Sequence, residues 1–273
     1  VTREALSASS DALRAAGIED PRLDAELLLV EATGWDRAQL AANPEAEIPP
    51  AAARRFAEMV RRRLRREPVA YILGRRGFRQ LELGVDPRVL IPRPETELLV
   101  ELALELQPRS VLDVGTGSGA IALAIAAELP GCEVTATDIS LAALEVARDN
   151  AERLGLASRV ELLAGMLPPR GGFELAVANL PYVSEAEWGG LEPEVTEWEP
   201  REALLAGPDG LDAMRSTIPA LAGVADVVAL EVGVGQAAEV GGLLIDAGLD
   251  AIETRADLAR IDRVVIGRGG AGN

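Results

Sequence analysis

Apolar positions recur at two different spacings along the chain, and the change between them divides it. Over residues 1–66 they return every three or four positions, as in Asp24-Ala-Glu-Leu-Leu-Leu-Val-Glu-Ala and Ala51-Ala-Ala-Arg-Arg-Phe-Ala-Glu-Met-Val-Arg-Arg-Arg-Leu, between turn signals at Gly17, Gly34, Asn43-Pro44 and Pro49-Pro50. That period predicts a small bundle of helices. From Pro68 to Pro87 the pattern moves towards alternation (Tyr71-Ile-Leu-Gly, Phe78-Arg-Gln-Leu-Glu-Leu-Gly-Val), with glycines at 74, 77 and 84, which predicts a hairpin. The expected organisation is a helical domain over 1–67, a hairpin linker over 68–90 and a second domain over 91–273. The linker runs into Leu90-Ile-Pro92-Arg93-Pro94-Glu95-Thr96-Glu97, where the prolines forbid a helix until about Thr96. Two prolines around an arginine make a stiff loop, either a rigid connector or a device that aims Arg93 at an anionic ligand.

From Ser110 onward the order is strand, glycine loop, helix, strand. Val111-Leu-Asp113-Val is an apolar strand, Gly115-Thr116-Gly117-Ser118-Gly119 opens a helix over 120–129, and Glu133-Val-Thr-Ala-Thr leads to Asp138. Glycines let the main chain approach a ligand closely, and a helix N-terminus offers free N–H groups. An acid at the end of the second strand, about 20 residues past the loop, is placed to hold the hydroxyls of a ribose. Further strands are expected at Val160-Glu-Leu-Leu, 174–178, Val227-Val-Ala-Leu-Glu231 and Arg263-Val-Val-Ile-Gly, with a helix over 236–247. Such alternation predicts an α/β fold with a doubly wound sheet, whose ligands bind at the carboxyl edge of the strands. The loop is not a dinucleotide fingerprint, because its third glycine comes one position early. Asp113-x-Gly-x-Gly-x-Gly119 resembles the S-adenosylmethionine loop of class I methyltransferases.

The run Glu174-Leu-Ala-Val-Ala-Asn179-Leu180-Pro181-Tyr182 ends its strand at that same edge. Asn179 can accept one hydrogen of a planar NH2 group through its side-chain oxygen, and the carbonyl of Leu180 can accept the other, held because Pro181 restricts its neighbour. Tyr182 can stack on the plane. Without further context the run is equally a strand ending in a proline turn.

Composition limits the chemistry. Of 273 residues 48% are hydrophobic, and no stretch of about 18 apolar residues suggests a membrane span. The first residues turn acidic and helical at once, without a signal-peptide pattern. A single cysteine, Cys132, excludes an internal disulfide and a cysteine-rich metal site, and it suits a cytoplasmic protein. There is no histidine, and all 27 basic residues are arginine, which removes imidazole bases, Schiff-base lysines and the P-loop lysine. What remains is positioning, carboxylates, or a cofactor that brings its own reactivity. The net charge of −17 lies entirely beyond residue 75, since 1–75 hold 12 basic and 12 acidic residues and the remainder 15 and 32. Such a surface repels a phosphate backbone. The one basic run, Arg61-Arg-Arg-Leu-Arg-Arg66, is expected to be a solvated helix face or, in a sharper reading, a docking surface.

Several segments together resemble the bacterial release-factor glutamine methyltransferases, the HemK-like family, over nearly the full length. They are Glu67-Pro-Val-Ala-Tyr-Ile-Leu-Gly74, Ile91-Pro-Arg-Pro-Glu-Thr-Glu97, the loop from Asp113 to Gly119, Asp138, Asn179-Leu-Pro-Tyr182, Glu199-Pro-Arg-Glu-Ala-Leu204, Asp209-Gly-Leu-Asp212 and Asp257-Leu-Ala-Arg-Ile-Asp-Arg-Val-Val265. The resemblance implies a helical domain that recognises the release factor and a methyltransferase domain using S-adenosylmethionine. The target is the side-chain amide of the glutamine in a Gly-Gly-Gln motif. It further implies that Gly115, Thr116, Gly117, Ser118, Gly119 and Asp138 contact the cofactor, with Asn179 beside it. Residues 179–182 would hold the amide, and Arg93 would shape the same pocket. No metal, membrane or direct nucleic-acid partner is implied, and the free enzyme is expected to be a monomer. Two positions depart from the family. Leu180 stands where a proline is usual, which leaves the main-chain acceptor intact, and Gly165-Met166 replaces a frequent Asp-Trp, so that Met166 would pack on the purine through its thioether. Asn-Leu-Pro-Tyr also occurs in ribosomal-RNA adenine dimethyltransferases. An adenine-amine methyltransferase acting on RNA or DNA is therefore the alternative, and a non-catalytic S-adenosylmethionine sensor a more distant one.

Overall fold

The three-to-four spacing at the start of the chain becomes helices α1 (Thr2–Ala15), α2 (Pro21–Thr33), α3 (Arg37–Ala42), α4 (Pro50–Leu64) and α5 (Val69–Leu73) in a computed structural model that describes residues 1–269. The chain divides into two units, one comprising 1–75 with 192–198 and the other the remainder. The first unit closes on Leu6, Leu13, Leu28, Leu29, Phe56 and Ile72, all buried. Its boundary falls later than expected, and residues 69–73 are helix rather than hairpin. Pro68 supplies the stiff entry and Gly74 the left-handed exit (φ 70°), so Tyr71 and Ile72 are both buried, as a helix allows and an alternating strand does not. The hairpin itself is β1 (Arg75–Phe78) with β2 (Leu81–Gly84).

The arginine run is split: Arg61 and Arg65 are exposed, as on a solvated face, while Arg62, Arg63 and Arg66 are engaged by acids. Arg63 is buried, donates from Nε to Asp24 Oδ2 at 2.7 Å and pairs with Glu194 Oε1 at 2.6 Å. Arg62 pairs with Glu67 at 2.5 Å, and Arg66 with Glu192 and Glu194, each at 2.5 Å. Burial pushes the Asp24 carboxyl up against the pull of Arg63. Segment 192–198, carrying the short helix α10 (Pro193–Thr196), thereby joins the first unit, and the Trp198 indole adds a bond to the Arg65 carbonyl at 3.3 Å. Removing one member of a buried ion cluster strands the others. Arg63→Ala should therefore cost about 3–5 kcal/mol, read as a lower urea midpoint of unfolding.

The second unit continues with α6 (Glu97–Leu106), β3 (Ser110–Val114), α7 (Ala120–Glu128), β4 (Glu133–Asp138), α8 (Leu141–Arg153), β5 (Val160–Ala164) and β6 (Phe173–Ala178). After the one-turn helix α9 (Glu185–Trp188) come α11 (Asp212–Ala222), β7 (Ala225–Glu231), α12 (Ala237–Asp246), β8 (Leu249–Ala256) and β9 (Asp262–Gly269). The seven strands lie in the order β5-β4-β3-β6-β7-β9-β8, and β9 runs antiparallel to both its neighbours. This is the doubly wound α/β sheet that the alternation of strands and helices predicts. β8 was not expected, because its positions are mostly exposed and polar and carry no apolar alternation.

Helix α7 is buried on every side from Ala120 to Ala126, as its continuous apolar sequence requires, and packs with α6 on one face of the sheet. Helices α11 and α12 fill the other face through Met214, Ile218, Val240 and Leu244. Among the described residues no helix is long and apolar enough to cross a membrane.

Candidate active site

Register brings the chemistry to one edge. Val114 pairs with both Thr137 and Ala178, and Ala178 pairs with Leu230, so β3, β4, β6 and β7 end side by side. The glycine loop and Asn179 follow β3 and β6 directly, and Asp138 and Glu231 are the last residues of β4 and β7.

The loop is built from its own backbone and two acids. The N–H groups of Gly115 and Thr116 donate to the Thr137 carbonyl at 2.9 and 3.0 Å. Gly115 has a φ of 73°, the left-handed conformation that favours glycine, although a Cβ there would meet the Leu180 side chain only at an ordinary contact of 3.6 Å. Asp113 is wholly buried, and its Oδ2 accepts from the Thr116 hydroxyl at 2.7 Å and from the Ala122 N–H at 3.1 Å. Its Oδ1 has no partner among the described residues, and burial pushes its pKa up to about 7. Asp138 Oδ2 accepts from the Gly117 N–H at 2.9 Å and Oδ1 from the Ser140 N–H at 2.8 Å. A carboxylate has about four acceptor positions, so these two bonds leave lone pairs for a diol.

The other wall is the 179–182 turn. Asn179 Nδ2 donates to the Thr96 hydroxyl oxygen at 3.1 Å. No hydrogen bond within the described chain engages Asn179 Oδ1 or the Leu180 carbonyl. Tyr182 is half-buried. Its carbonyl accepts from Gln236 Nε2 at 2.9 Å, and its hydroxyl donates to Glu231 Oε1 at 3.4 Å. Burial, with the Glu231 charge, pushes the phenol pKa up. A Cβ at Gly210 would stand 2.3 Å from the Tyr182 carbonyl, so that glycine is what lets the loop before α11 pack under the turn.

Between these walls lies a cavity of about 460 Å³. Of the residues expected in the site, Gly115, Gly117, Asp138, Met166, Asn179, Leu180 and Pro181 line it. Thr116, Ser118, Gly119, Tyr182 and Arg93 do not. Thr116 is turned to Asp113, and the Ser118 carbonyl accepts from Asn150 Nδ2 at 2.8 Å, so both brace the loop from behind. Arg93 finds its anion within the chain, forming an ion pair with buried Glu199, whose other oxygen accepts from the Ile91 N–H at 3.0 Å. Through that pair it stiffens the 91–94 loop. Met166 is 41% exposed, anchored through its carbonyl by the Thr137 hydroxyl at 2.9 Å. Ile139, 75% exposed on the cavity wall, escaped the sequence reading. Its signal was an apolar residue directly after the ribose-type acid. Thr96 and Glu231 also escaped it, the first lying inside a proline-rich loop and the second at the end of an apolar strand.

The cavity suits an S-adenosyl nucleoside. Asp138 can take the ribose hydroxyls, Ile139 and Met166 offer apolar contact for a purine, and the orphaned Asp113 oxygen lies at the base of the loop. Residues 4–74 match the family model described as PrmC N-terminal domain, and residues 94–189 the model described as Methyltransferase small domain. The chain is 48% identical to the release factor glutamine methyltransferase of Moorella thermoacetica, over 85% of each chain. It is 41% identical to that of Caulobacter vibrioides, over 97% of this chain and 95% of the other. A methyltransferase structure from Pyrococcus furiosus superposes with a TM-score of 0.51 at 19% identity, covering 70% of this chain and 89% of that one, a likeness of fold.

Proposed function

Because the chain belongs to the release factor glutamine methyltransferase family, we propose that its cavity seats S-adenosylmethionine between the glycine loop and Met166 and receives a release-factor glutamine at residues 179–182. The reaction is methylation of the side-chain amide nitrogen of that glutamine. The bound cofactor supplies an activated methyl group on a sulfonium sulfur. The observation that supports this reading is the Asn179–Thr96 bond on the cavity wall, which engages the amide nitrogen and leaves the Asn179 oxygen as an acceptor for the incoming NH2.

An amide nitrogen is a weak nucleophile because its lone pair is delocalised into the carbonyl. Asn179 Oδ1 and the Leu180 carbonyl, accepting one hydrogen each, favour the positive charge that nitrogen gains during transfer and hold it in line with the methyl group. No residue has to act as a strong base, since the surplus proton becomes acidic once the bond has formed and leaves to water. Thr116 and Ser118 serve by keeping the loop in shape, and Arg93 by stiffening the wall at Glu199.

We place the reaction in the cytoplasm, with a monomeric enzyme whose helical unit recognises the release factor, the glutamine belonging to its Gly-Gly-Gln motif. Nucleic acid is not the substrate in this reading. In the one basic run Arg62, Arg63 and Arg66 are paired with Glu67, Asp24, Glu192 and Glu194, which weakens the feature that favoured an adenine target. Offered a release factor and RNA or DNA side by side with a tritiated methyl donor, the enzyme should label the protein alone, adding one methyl group to glutamine by mass spectrometry. Label in nucleic acid would overturn the assignment.

A further inference from the structure

Behind Asn179 lies a buried acid with no part in the reaction as derived so far. Glu231, at the end of β7, is 2% exposed, and its Oε2 has no hydrogen-bond partner among the described residues. Native interiors rarely leave a carboxylate oxygen in that condition without a use. The Tyr182 hydroxyl donates to its Oε1 at 3.4 Å, and the Thr96 hydroxyl is close enough to oppose the rise in its pKa. Thr96 is 4% exposed and is the same residue whose oxygen receives Asn179 Nδ2.

Resting on the function proposed above, we infer that Glu231 is a positioning residue that acts through Thr96 to fix which end of the Asn179 amide meets the substrate. A threonine hydroxyl has one proton to give. An ionised carboxylate can only accept, so Glu231 draws that proton to itself and leaves Thr96 showing lone pairs to Asn179. The Asn179 NH2 then turns to Thr96, and its oxygen faces the cavity. With Glu231 neutral or absent, the Thr96 proton is free to bond Asn179 Oδ1, the amide reverses, and a donor meets a donor. Tyr182 belongs to the same arrangement, since it shares the Glu231 carboxylate and its carbonyl is held by Gln236.

Burial pushes Glu231 up to about 7, with Glu95 adding to the rise and Thr96, Tyr182 and Arg263 opposing it. Arg263 is itself paired with Asp257 at 3.0 Å. The folded protein therefore holds this proton more tightly than the unfolded chain. Glu231 is neutral in stability below its ordinary value of 4.5, becomes a growing burden as pH rises, and is a full burden above about 7. Replacing it should relieve that burden while harming the reaction, a pairing that a merely structural residue would not show.

The test uses the full chain with a release factor, with Asn179→Ala as the impaired reference. Glu231→Gln should lower kcat by about 10- to 100-fold, the range of one or two hydrogen bonds to a charged group, with cofactor affinity unchanged. Its melting temperature at about pH 8 should be no lower than that of the native enzyme, and its advantage should shrink towards pH 5. Thr96→Val should lose activity to a similar extent, Thr96→Ser should restore most of it, and the double variant should fall no further than Thr96→Val alone, because both changes break one chain of bonds. The native enzyme should lose kcat as pH falls through about 7, and Glu231→Gln should abolish that acid limb. The inference is overturned if Glu231→Gln retains the native rate while Asn179→Ala is impaired, if the two losses multiply, if activity falls only in step with melting temperature, or if the acid limb persists in the variant, which would assign it to Asp113. A native enzyme that methylates no release factor would instead refute the proposed function.

Discussion

Asn179→Ala is expected to lower methyl transfer to a release factor by about 10²–10³-fold at saturating substrates, the usual loss when one preorganised group facing developing charge is removed. Cofactor affinity should stay within a few-fold, because the groups assigned to the nucleoside lie on the β3 and β4 loops and in the Gly165-Met166 turn. Alanine removes the acceptor for one amide hydrogen and also frees the Thr96 hydroxyl, so the substrate NH2 loses its partner and its alignment together. Single-turnover transfer of a tritiated methyl group, beside calorimetric titration with S-adenosylhomocysteine, separates the two effects. A variant that transferred at nearly the native rate would refute the amide clamp.

The elements that sequence made legible are those whose information is local. Strands β3, β4, β6 and β7 are short apolar runs bounded by glycine or an acid, and the loop between β3 and α7 announces itself by its glycines. Asp138 and the 179–182 turn could be placed at strand ends because a doubly wound sheet has only one functional edge. What stayed hidden depends on partners distant in the chain. Arg63 and Arg66 looked solvated because their acids are Asp24, Glu192 and Glu194, all distant along the sequence. Arg93 looked like an anion hook because Glu199 is 106 positions away. The 69–73 helix was misread because five residues are too few to separate a 3.6 period from a period of two. Thr96 and Glu231 could not be joined to Asn179 by spacing at all, since α6, β6 and β7 bring them together only in three dimensions.

Asp138→Ala should have the opposite signature to Asn179→Ala, raising the cofactor dissociation constant by about 10²–10³-fold while leaving kcat at saturating cofactor within a few-fold. The carboxylate has two tasks. It ties the loop down through the Gly117 N–H and opens α8 through the Ser140 N–H, each with a separate oxygen. In the proposed site its remaining lone pairs take the ribose hydroxyls. Bonds to a charged acceptor contribute about 1.5–3 kcal/mol each, so losing two to the ligand amounts to about 3–4 kcal/mol at the lower end, hence the range given. Asp138→Asn should weaken binding almost as much, because an amide keeps one acceptor oxygen and must turn its NH2 against either the Gly117 or the Ser140 N–H, opening the loop. Both variants should keep the native melting temperature more nearly than their cofactor affinity, since the backbone ties they break lie at the rim of the sheet and not in its core. Unchanged S-adenosylhomocysteine affinity in Asp138→Ala would move the ribose site away from the end of β4, and with it the placement of the methyl group opposite Asn179.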